Sequence, residues 1–363
     1  MFNNIYQNKK VLITGHTGFK GSWLALWLSQ MGANVTGYSL QPPTDPNHFK
    51  LLNLDLNSII GDIRDTDKLK QVFKEQQPEI VFHLAAQAIV RLSYKDPLET
   101  FSSNVLGTAN VLEAARTCDS VRAIVIVTSD KCYDNKEWPW GYRENDALGG
   151  YDPYSASKGC AEIITSCWQN SFFNLKDYGN THQTLLASTR AGNVIGGGDW
   201  AQDRLIPDIM RAVSLNEKVK IRNPHATRPW QHVLEPLSGY LLLGQKLLEG
   251  RKEFAEAWNF GPFDEGNVSV GEIVHLVKGI WPKIDYEIQQ NPDQPHEAGL
   301  LRLDCSKART KLRWIPVWTG NATIEKTTLW YKAFYESSEI LSLEQLRHYV
   351  AEAKSKHIAW VEE

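Results

Sequence analysis

Tyr154 and Lys158 are the residues whose types and spacing most directly suggest chemistry. They lie four positions apart in Tyr154-Ser-Ala-Ser-Lys158, so on a helix their side chains share one face. A phenol titrates near pH ~10, and a neighbouring ammonium group favours the phenolate and lowers the pKa. The pair could therefore act as a general base, although the same spacing also occurs in ordinary surface pairs.

A second polar group, Thr128-Ser129-Asp130-Lys131, directly follows the apolar run Ala123–Val127. Such a run is typical of a parallel strand that is buried on both faces. Open α/β sheets bind their ligands beyond the carboxyl ends of the strands. We therefore expect these polar side chains to share one site with the tyrosine–lysine pair.

A glycine-rich turn near the start of the chain predicts a dinucleotide site. The strand-like run Val11–Thr14 is followed by Gly15, Gly18 and Gly21, and apolar residues then recur at helical spacing. The first glycine permits the turn, the second lets backbone approach a pyrophosphate, and the third lets the helix pack closely. The helix N-terminus then offers N–H groups to phosphates. A bare structural turn is the alternative, but the flanking strand and helix supply the context that the motif requires.

Two positions bear on the adenosine end of a dinucleotide. A second strand, Asn34–Tyr38, is followed by Ser39, where many dinucleotide folds carry an acid that binds the ribose. Ser39 could bind one hydroxyl more weakly. Asp62 closes a short strand-like run and could either bind an adenine amine or cap the helix that begins near Thr66.

The elements that position these residues alternate between strand and helix. Further strands are predicted at Ile80–Leu84 and Thr184–Ala191, and a long helical pattern runs from Pro97 to Arg116. This alternation predicts an α/β fold with a Rossmann-type, doubly wound parallel sheet. Residues 1–191 are predicted to form the dinucleotide-binding domain. Residues 192–363 are predicted to form mainly a smaller substrate-binding domain, with some segments returning to the first.

Three arginines beyond residue 192, Arg204, Arg222 and Arg228, lie in expected loops. Separated arginines of this kind could clamp a diphosphate by charge-assisted hydrogen bonds. For any one of them, solvated surface charge is the alternative.

Composition narrows the functional class. The net charge of −3, without a basic block, argues against a nucleic-acid partner. No apolar run approaches the ~20 residues that span a bilayer, and residues 1–10 lack the apolar core of a signal peptide. The five cysteines show no metal-binding spacing, so we expect no metal and free thiols in a reducing cytoplasm.

The sequence resembles the extended short-chain dehydrogenase/reductase family. The match rests on Thr14-Gly-x-x-Gly-x-x-Gly21 and on Tyr154 with Lys158, supported by Leu84-Ala-Ala86 and Asn104. Longer segments are similar to the nucleotide-sugar 4,6-dehydratases of that family, in particular those that act on CDP-glucose. These segments are Thr128–Tyr133, Arg190–Trp200, Asp203–Asp208 and Arg228–Val233. The resemblance runs from about Lys10 to Trp318.

The resemblance implies a hydro-lyase that uses NAD to convert CDP-glucose into CDP-4-keto-6-deoxyglucose and water. The reaction comprises oxidation at carbon 4, elimination across carbons 5 and 6, and hydride return to carbon 6. The product would enter dideoxysugar synthesis for bacterial surface polysaccharide (lipopolysaccharide O-antigen). The alternatives are a related epimerase, a dehydratase for another nucleotide, and, in a different class, a non-catalytic NAD-binding sensor.

The resemblance also implies catalytic roles. Tyr154 would be the base at the 4-hydroxyl, and Lys158 would lower its pKa and hold the nicotinamide ribose. Ser129 would hydrogen-bond the new ketone, and Asp130, kept protonated by burial, would be the acid for the departing hydroxide. Lys131 stands where related dTDP-glucose enzymes carry a glutamate base, so it is either a neutral base at carbon 5 or a stabiliser of the enolate.

Further contacts follow from the same resemblance. The implied cofactor-binding residues are Gly15, Thr17, Gly18, Phe19, Gly21, Ser39, Asp62, Ile63, Leu84, Ala85, Ala86, Gln87, Asn104, Thr128, Tyr154 and Lys158. The implied substrate-binding residues are Arg91, Asn193, Arg204, Arg222, Arg228 and His296. A homodimer, or a dimer of dimers, is expected through the helices at Pro97–Arg116 and Tyr154–Asn170, with no membrane partner.

Overall fold

A twisted sheet of parallel strands forms the centre of the computed structural model, which describes residues 1–221, 223–263, 267–289 and 300–362. The strands in chain order are β1 (Lys10–Thr14), β2 (Asn34–Ser39), β3 (Asn57–Ile60), β4 (Ile80–His83), β5 (Ala123–Val127), β6 (Leu185–Ala191), β7 (Val194–Ile195), β8 (Val219–Ile221), β9 (Thr227–Pro229), β10 (Gln231–His232), β11 (Ala257–Phe260), β12 (Asn267–Ser269) and β13 (Tyr286–Ile288).

Helices connect the strands and cover both faces of the sheet. In chain order they are α1 (Phe19–Gln30), α2 (His48–Leu52), α3 (Thr66–Gln76), α4 (Val90–Lys95), α5 (Pro97–Phe101), α6 (Gly107–Arg116), α7 (Pro153–Ser171), α8 (Leu205–Ser214), α9 (Leu234–Leu248), α10 (Val270–Ile280), α11 (Gly320–Ser337), α12 (Ser342–Ser355) and α13 (Ala359–Glu362).

The strand order in the main sheet is β3-β2-β1-β4-β5-β6-β11, and every neighbouring pair is parallel. From β1 the chain adds β2 and then β3 on one side. It then crosses back and adds β4 on the other side of β1. A crevice opens where the strand order reverses, beyond the carboxyl ends of β1 and β4. The Rossmann-type doubly wound sheet predicted from the sequence is therefore confirmed.

Alternate residues of each strand enter different cores, as a pleated sheet with two covered faces requires. In β1, Val11 and Ile13 pack with Trp23 of α1 on one face. Leu12 packs on the other face with Leu112 of α6. This burial on both sides explains why the strands read as continuous apolar runs in the sequence.

The chain after residue 191 contributes to the same sheet. Strand β11 pairs with β6, joining Trp258 to Thr189 in register. Helix α9 packs against β5 and β6, and thirteen of its fifteen residues are buried. The remaining short sheets pair β7 with β10, β8 with β13 and β9 with β12. The domain boundary at residue 191 stays a prediction.

Two local predictions need correction. The helical pattern Pro97–Arg116 is not one regular α-helix, because Ser102–Leu106 forms a π-helical segment between α5 and α6. Such segments are often found at functional sites, and this one carries Asn104. Arg228 does not lie in a loop but in β9, where it pairs with Val268.

Candidate active site

The glycine-rich turn has the shape that a pyrophosphate cradle requires. Gly15 adopts a φ of +79°, and a Cβ atom there would lie 2.7 Å from the backbone nitrogen of Ala85. A Cβ atom on Gly21 would lie 2.1 Å from the carbonyl oxygen of Gly15. Gly18 donates its N–H to the same oxygen at 3.1 Å, and α1 begins at Phe19. Side chains are therefore excluded where a phosphate would meet the helix N-terminus, so the turn fits a dinucleotide.

The predicted adenosine contacts are placed as follows. The Ser39 hydroxyl lies 2.8 Å from the hydroxyl of Thr17, which donates to the carbonyl of Leu40 at 3.0 Å. Ile63 is buried in the core beneath α6, where a Cβ on Gly107 would lie 2.4 Å from its Cδ1. Its side chain is thus a packing group.

The helix-capping alternative for Asp62 is wrong. Asp65 is the N-cap of α3 and accepts from the backbone N–H of Lys68 at 3.1 Å. Asp62 instead accepts from the Nε of Arg64 at 3.0 Å. These hydrogen bonds from Arg64 hold the pKa of Asp62 below its ordinary value. The carboxylate is ionised at the edge of the crevice.

The segment Leu84–Gln87 follows β4 and passes beside the glycine turn. The backbone N–H of Ala85 donates to the hydroxyl oxygen of Thr14 at 3.3 Å. Asn104 fixes the end of the segment, because its amide exchanges hydrogen bonds of 2.8 and 2.9 Å with the backbone of Gln87. The same amide donates to Ser157 of α7 at 2.9 Å. Asn104 thus joins this segment to the helix that carries Tyr154.

Helix α7 places Tyr154 and Lys158 one turn apart. Asp152 caps the helix and accepts from the backbone of Ser155 at 2.9 Å. Both predicted catalytic side chains are buried, with 8% and 6% of their surfaces exposed. Burial raises the pKa of Tyr154 to about 12, although a hydrogen bond with Ser129 opposes this change. The expected lowering of the phenol pKa is therefore wrong for the protein alone. Burial lowers the pKa of Lys158 to about 8.

The turn after β5 brings the remaining predicted catalytic residues to the same place. Asp130 is 4% exposed and accepts from the Ser129 hydroxyl at 2.9 Å. Burial raises the pKa of Asp130, and the nearby charge of Lys131 partly opposes the rise. The direction is the one that a proton donor needs. Lys131 itself is half-buried.

Lys20 is a site residue that the sequence analysis missed. It lies in the first turn of α1, near Arg204, Lys158 and Asp130. Burial and the neighbouring cations lower the pKa of Lys20 to about 7. A lysine at a helix N-terminus opposes the helix dipole. That local conflict is the signal that could have revealed it.

The predicted substrate residues are only partly assembled. Arg204 donates to Asp199 at 2.7 Å and lies near Tyr154, whereas Arg91 is 3.6 Å from Asp203. Arg228 is close enough to Asp130 to lower its pKa slightly. Asn193 accepts through its carbonyl from the backbone of Gln231 at 3.0 Å. Arg222 and His296 lie outside the described residues.

Two cavities flank the turn after β5. The larger, of about 670 Å³, is lined by Trp138, Arg143 and Arg302 and reaches Gly192, where a Cβ would be 3.0 Å from the Asp130 carboxylate. The smaller, of about 270 Å³, includes Lys131. The Asp130 carboxylate therefore lies next to Gly192, a residue that lines the larger cavity.

Other predictions concern composition. All five cysteines are free thiols. Within the described ranges, no cluster of metal-binding side chains occurs. None of the helices in the described part of the chain is both long and apolar enough to cross a bilayer.

The chain belongs to the GDP-mannose 4,6-dehydratase family, whose model matches residues 12–327. It is 53% identical over 340 residues to CDP-glucose 4,6-dehydratase of Salmonella typhimurium, covering 93% of this chain and 94% of that protein. These matches confirm the predicted class, a nucleotide-sugar dehydratase within the extended short-chain dehydrogenase/reductase fold.

Solved structures share the fold. The epimerase Mth375 of Methanothermobacter thermautotrophicus superposes with a TM-score of 0.77 at 24% identity, covering 92% of this chain and 96% of that one. The dTDP-glucose 4,6-dehydratase of Bacillus anthracis, in complex with NAD, gives a TM-score of 0.74 at 21% identity, covering 90% and 97%.

Proposed function

We propose that this protein is an NAD-dependent hydro-lyase that converts CDP-glucose into CDP-4-dehydro-6-deoxyglucose and water. The observation that carries the proposal is the buried, hydrogen-bonded Asp130 beside Tyr154. The tyrosine–lysine pair alone would suit an epimerase equally well. An elimination also requires an acid for the departing hydroxide, and Asp130 supplies it. The 53% identity to CDP-glucose 4,6-dehydratase supports the choice of nucleotide.

The first half of the reaction uses residues of α7 and Ser129. Tyr154 accepts the proton of the sugar 4-hydroxyl, and Ser129 donates to the ketone oxygen that forms. Because burial holds the pKa of Tyr154 at about 12, cationic groups must favour the phenolate when the substrate is bound. Arg204 already acts in that direction. NAD, held by the glycine-rich turn and the Leu84–Gln87 segment, supplies the hydride acceptor at carbon 4 and the donor at carbon 6.

The second half of the reaction uses the turn after β5. The new ketone acidifies the proton on carbon 5. Loss of that proton and of the carbon 6 hydroxide forms the carbon 5–carbon 6 double bond, while protonated Asp130 turns the hydroxide into water. Lys131 takes the carbon 5 proton if its amine is neutral, or else stabilises the enolate while another group takes the proton. The group that took this proton returns it to carbon 5 when hydride adds to carbon 6.

The diphosphate is assigned to Arg204, which lies near Tyr154, and to Arg228, which lies near Asp130. Arg91, Asn193, Arg222 and His296 complete the proposed substrate contacts.

A cytoplasmic homodimer, or a dimer of dimers, is the proposed form of the enzyme. Several large apolar side chains on α5, on the π-helical segment, on α7 and directly after α7 are exposed, which is a pattern that marks association surfaces. They are Leu98, Leu106, Ile163 and Phe172.

A single incubation tests the function. The purified protein is mixed with CDP-glucose, with and without added NAD, and the product mass and the alkaline ultraviolet absorbance are followed. Loss of one water with a 4-keto chromophore is the expected result. Reaction with dTDP-, UDP- or GDP-glucose in place of CDP-glucose would overturn the nucleotide assignment. NAD binding without turnover of any of these would favour the sensor. A strong response to added NAD would support loose cofactor binding at Ser39.

A further inference from the structure

A buried ion pair that the proposed chemistry does not use lies behind the turn after β5. The Nη2 of Arg190 donates to Glu162 at 2.8 Å, and each side chain is only 3% exposed. Glu162 belongs to α7 and Arg190 to β6. Charged groups are costly to bury unless they are paired and hydrogen-bonded, so the partners of this pair indicate its purpose.

Glu162 binds the start of the turn. Its carboxylate accepts from the hydroxyl of Thr128, the last residue before the predicted catalytic group. It also accepts from the hydroxyl of Ser188 at 2.7 Å. The backbone N–H of Thr128 donates to Thr189 of β6 at 2.8 Å. The residue that precedes Ser129 is therefore held from two sides.

Arg190 binds the end of the same turn. Its Nη1 donates to the phenol oxygen of Tyr133 at 2.7 Å, and its guanidinium carbon lies 4.9 Å from the centre of that ring. The Tyr133 hydroxyl donates onward to Asn259 of β11 at 2.8 Å. Tyr133 is the third residue after Asp130, so the ion pair holds the turn at both ends.

Glu162 also relates the turn to α7. It lies one helical turn beyond Lys158 and two beyond Tyr154 on the same helix. Although burial opposes ionisation, Arg190 and the hydroxyl donors hold the pKa of Glu162 below its ordinary value. The pair is therefore charged at neutral pH.

We infer that Glu162 and Arg190 are positioning residues that fix the turn Thr128–Tyr133 against α7. Through Thr128 and Tyr133 they keep Asp130 within reach of the sugar that Tyr154 engages. This inference rests on the proposed function for the roles of Asp130 and Tyr154.

The two halves of the reaction should respond differently when the Glu162–Arg190 ion pair no longer holds the turn Thr128–Tyr133 in place. Oxidation at carbon 4 depends mainly on Tyr154 and Lys158, both carried by α7. It uses one residue of the turn, Ser129, which directly follows the anchored Thr128. Elimination depends on Asp130, which is carried by the turn. A displaced turn should therefore slow elimination more than oxidation, and the 4-keto sugar that still carries its 6-hydroxyl should accumulate.

Tyr133→Phe and Ser188→Ala form the test and its matched control. Each removes one buried hydroxyl from the network and leaves the ion pair in place, but only Tyr133 belongs to the turn. Since a misplacement of ~1 Å can cost about a hundredfold in rate, we expect Y133F to lower kcat about ten- to a hundredfold. KM should change less than about twofold. Rapid-quench analysis of Y133F should show the 4-keto sugar that still carries its 6-hydroxyl. S188A should behave like the wild type.

Hydrogen–deuterium exchange gives a readout that does not depend on the substrate. We expect the amides of residues 129–133 to exchange faster in Y133F than in S188A, with similar exchange elsewhere in the sheet. Equal amide exchange in the two variants would contradict the proposed positioning role of Glu162 and Arg190. Equal amounts of the 4-keto intermediate in the two variants would contradict it as well. If the wild type leaves CDP-glucose unchanged but the exchange difference is present, the positioning role of Glu162 and Arg190 is supported and the proposed substrate is wrong.

Discussion

Gly21→Ala tests whether the glycine-rich turn is a close-packed cradle. The added Cβ would lie 2.1 Å from the Gly15 oxygen, and α1 must retreat by about 0.9 Å to reach 3.0 Å, the shortest separation that real Cβ atoms show. The oxygen cannot yield, because the Gly15 N–H is bound to Tyr38 at 2.9 Å and a Cβ at Gly15 is itself excluded by Ala85.

The expected cost follows from this geometry. Overpacking costs typically ~1–3 kcal/mol and occasionally more. Alanine returns about 1 kcal/mol through its better helix propensity. With a clash this severe, we expect a net loss of about 2 kcal/mol, which lowers the Tm of a chain of 363 residues by about 3 °C. Retreat of the helix N-terminus should also weaken NAD binding at least about tenfold, or about 1.4 kcal/mol.

Thermal unfolding without cofactor and calorimetric titration with NAD measure the two effects. Gly18→Ala is the matched control, since its Cβ would lie 3.3 Å from the same oxygen and requires only a small adjustment. G18A should keep the wild-type Tm while weakening NAD binding, because the second glycine of the motif is the one that lets the backbone approach a pyrophosphate. A G21A protein with wild-type Tm and wild-type affinity would refute the reasoning.

Three further predictions concern individual side chains. Asp130→Asn should keep oxidation at carbon 4 but slow dehydration about 10²–10⁴-fold, and a normal dehydration rate by rapid quench would contradict this. Tyr154→Phe should abolish the first hydride transfer, so that wild-type formation of enzyme-bound NADH at 340 nm would exclude it as the base. Lys20→Met should stabilise the protein most below pH 7, because the pKa of Lys20 is lowered from 10.5 to about 7 in the folded state. The gain should shrink between pH 7 and 10.5 as the unfolded chain loses its proton, and thermal unfolding that shows a pH-independent gain would contradict the assignment.

Local patterns were sufficient to predict the elements of the fold. Strand β5 has the predicted bounds, Ala123–Val127, because burial on both faces of the sheet leaves a continuous apolar run in the sequence. The parallel, doubly wound character of the sheet followed from the alternation of strands and helices, but the order of its strands was not among the predictions. The family resemblance supplied the roles at the end of β5.

Predictions that depended on distant contacts were less successful. Asp62 and Asp65 both precede α3, and the choice of cap was decided by the pairing of Asp62 with Arg64. We expected the charge of Lys158 to lower the pKa of Tyr154, whereas burial of the phenol raises it. Burial cannot be read from the spacing of two residues in a sequence. The Glu162–Arg190 pair joins two elements, and only the assembled sheet brings its partners together.

The pairing of β11 with β6 has a consequence for how the chain is made. A ribosome that has released residues 1–191 has delivered six of the seven sheet strands, but the outer edge of β6 remains open until Ala257–Phe260 emerges. The surface of β5 and β6 that α9 covers also stays bare until Leu234–Leu248 emerges. Unpaired strand edges and exposed apolar faces recruit other chains. A fragment cut at residue 191 should therefore aggregate, and chaperones should be most needed while the intervening segment is synthesised.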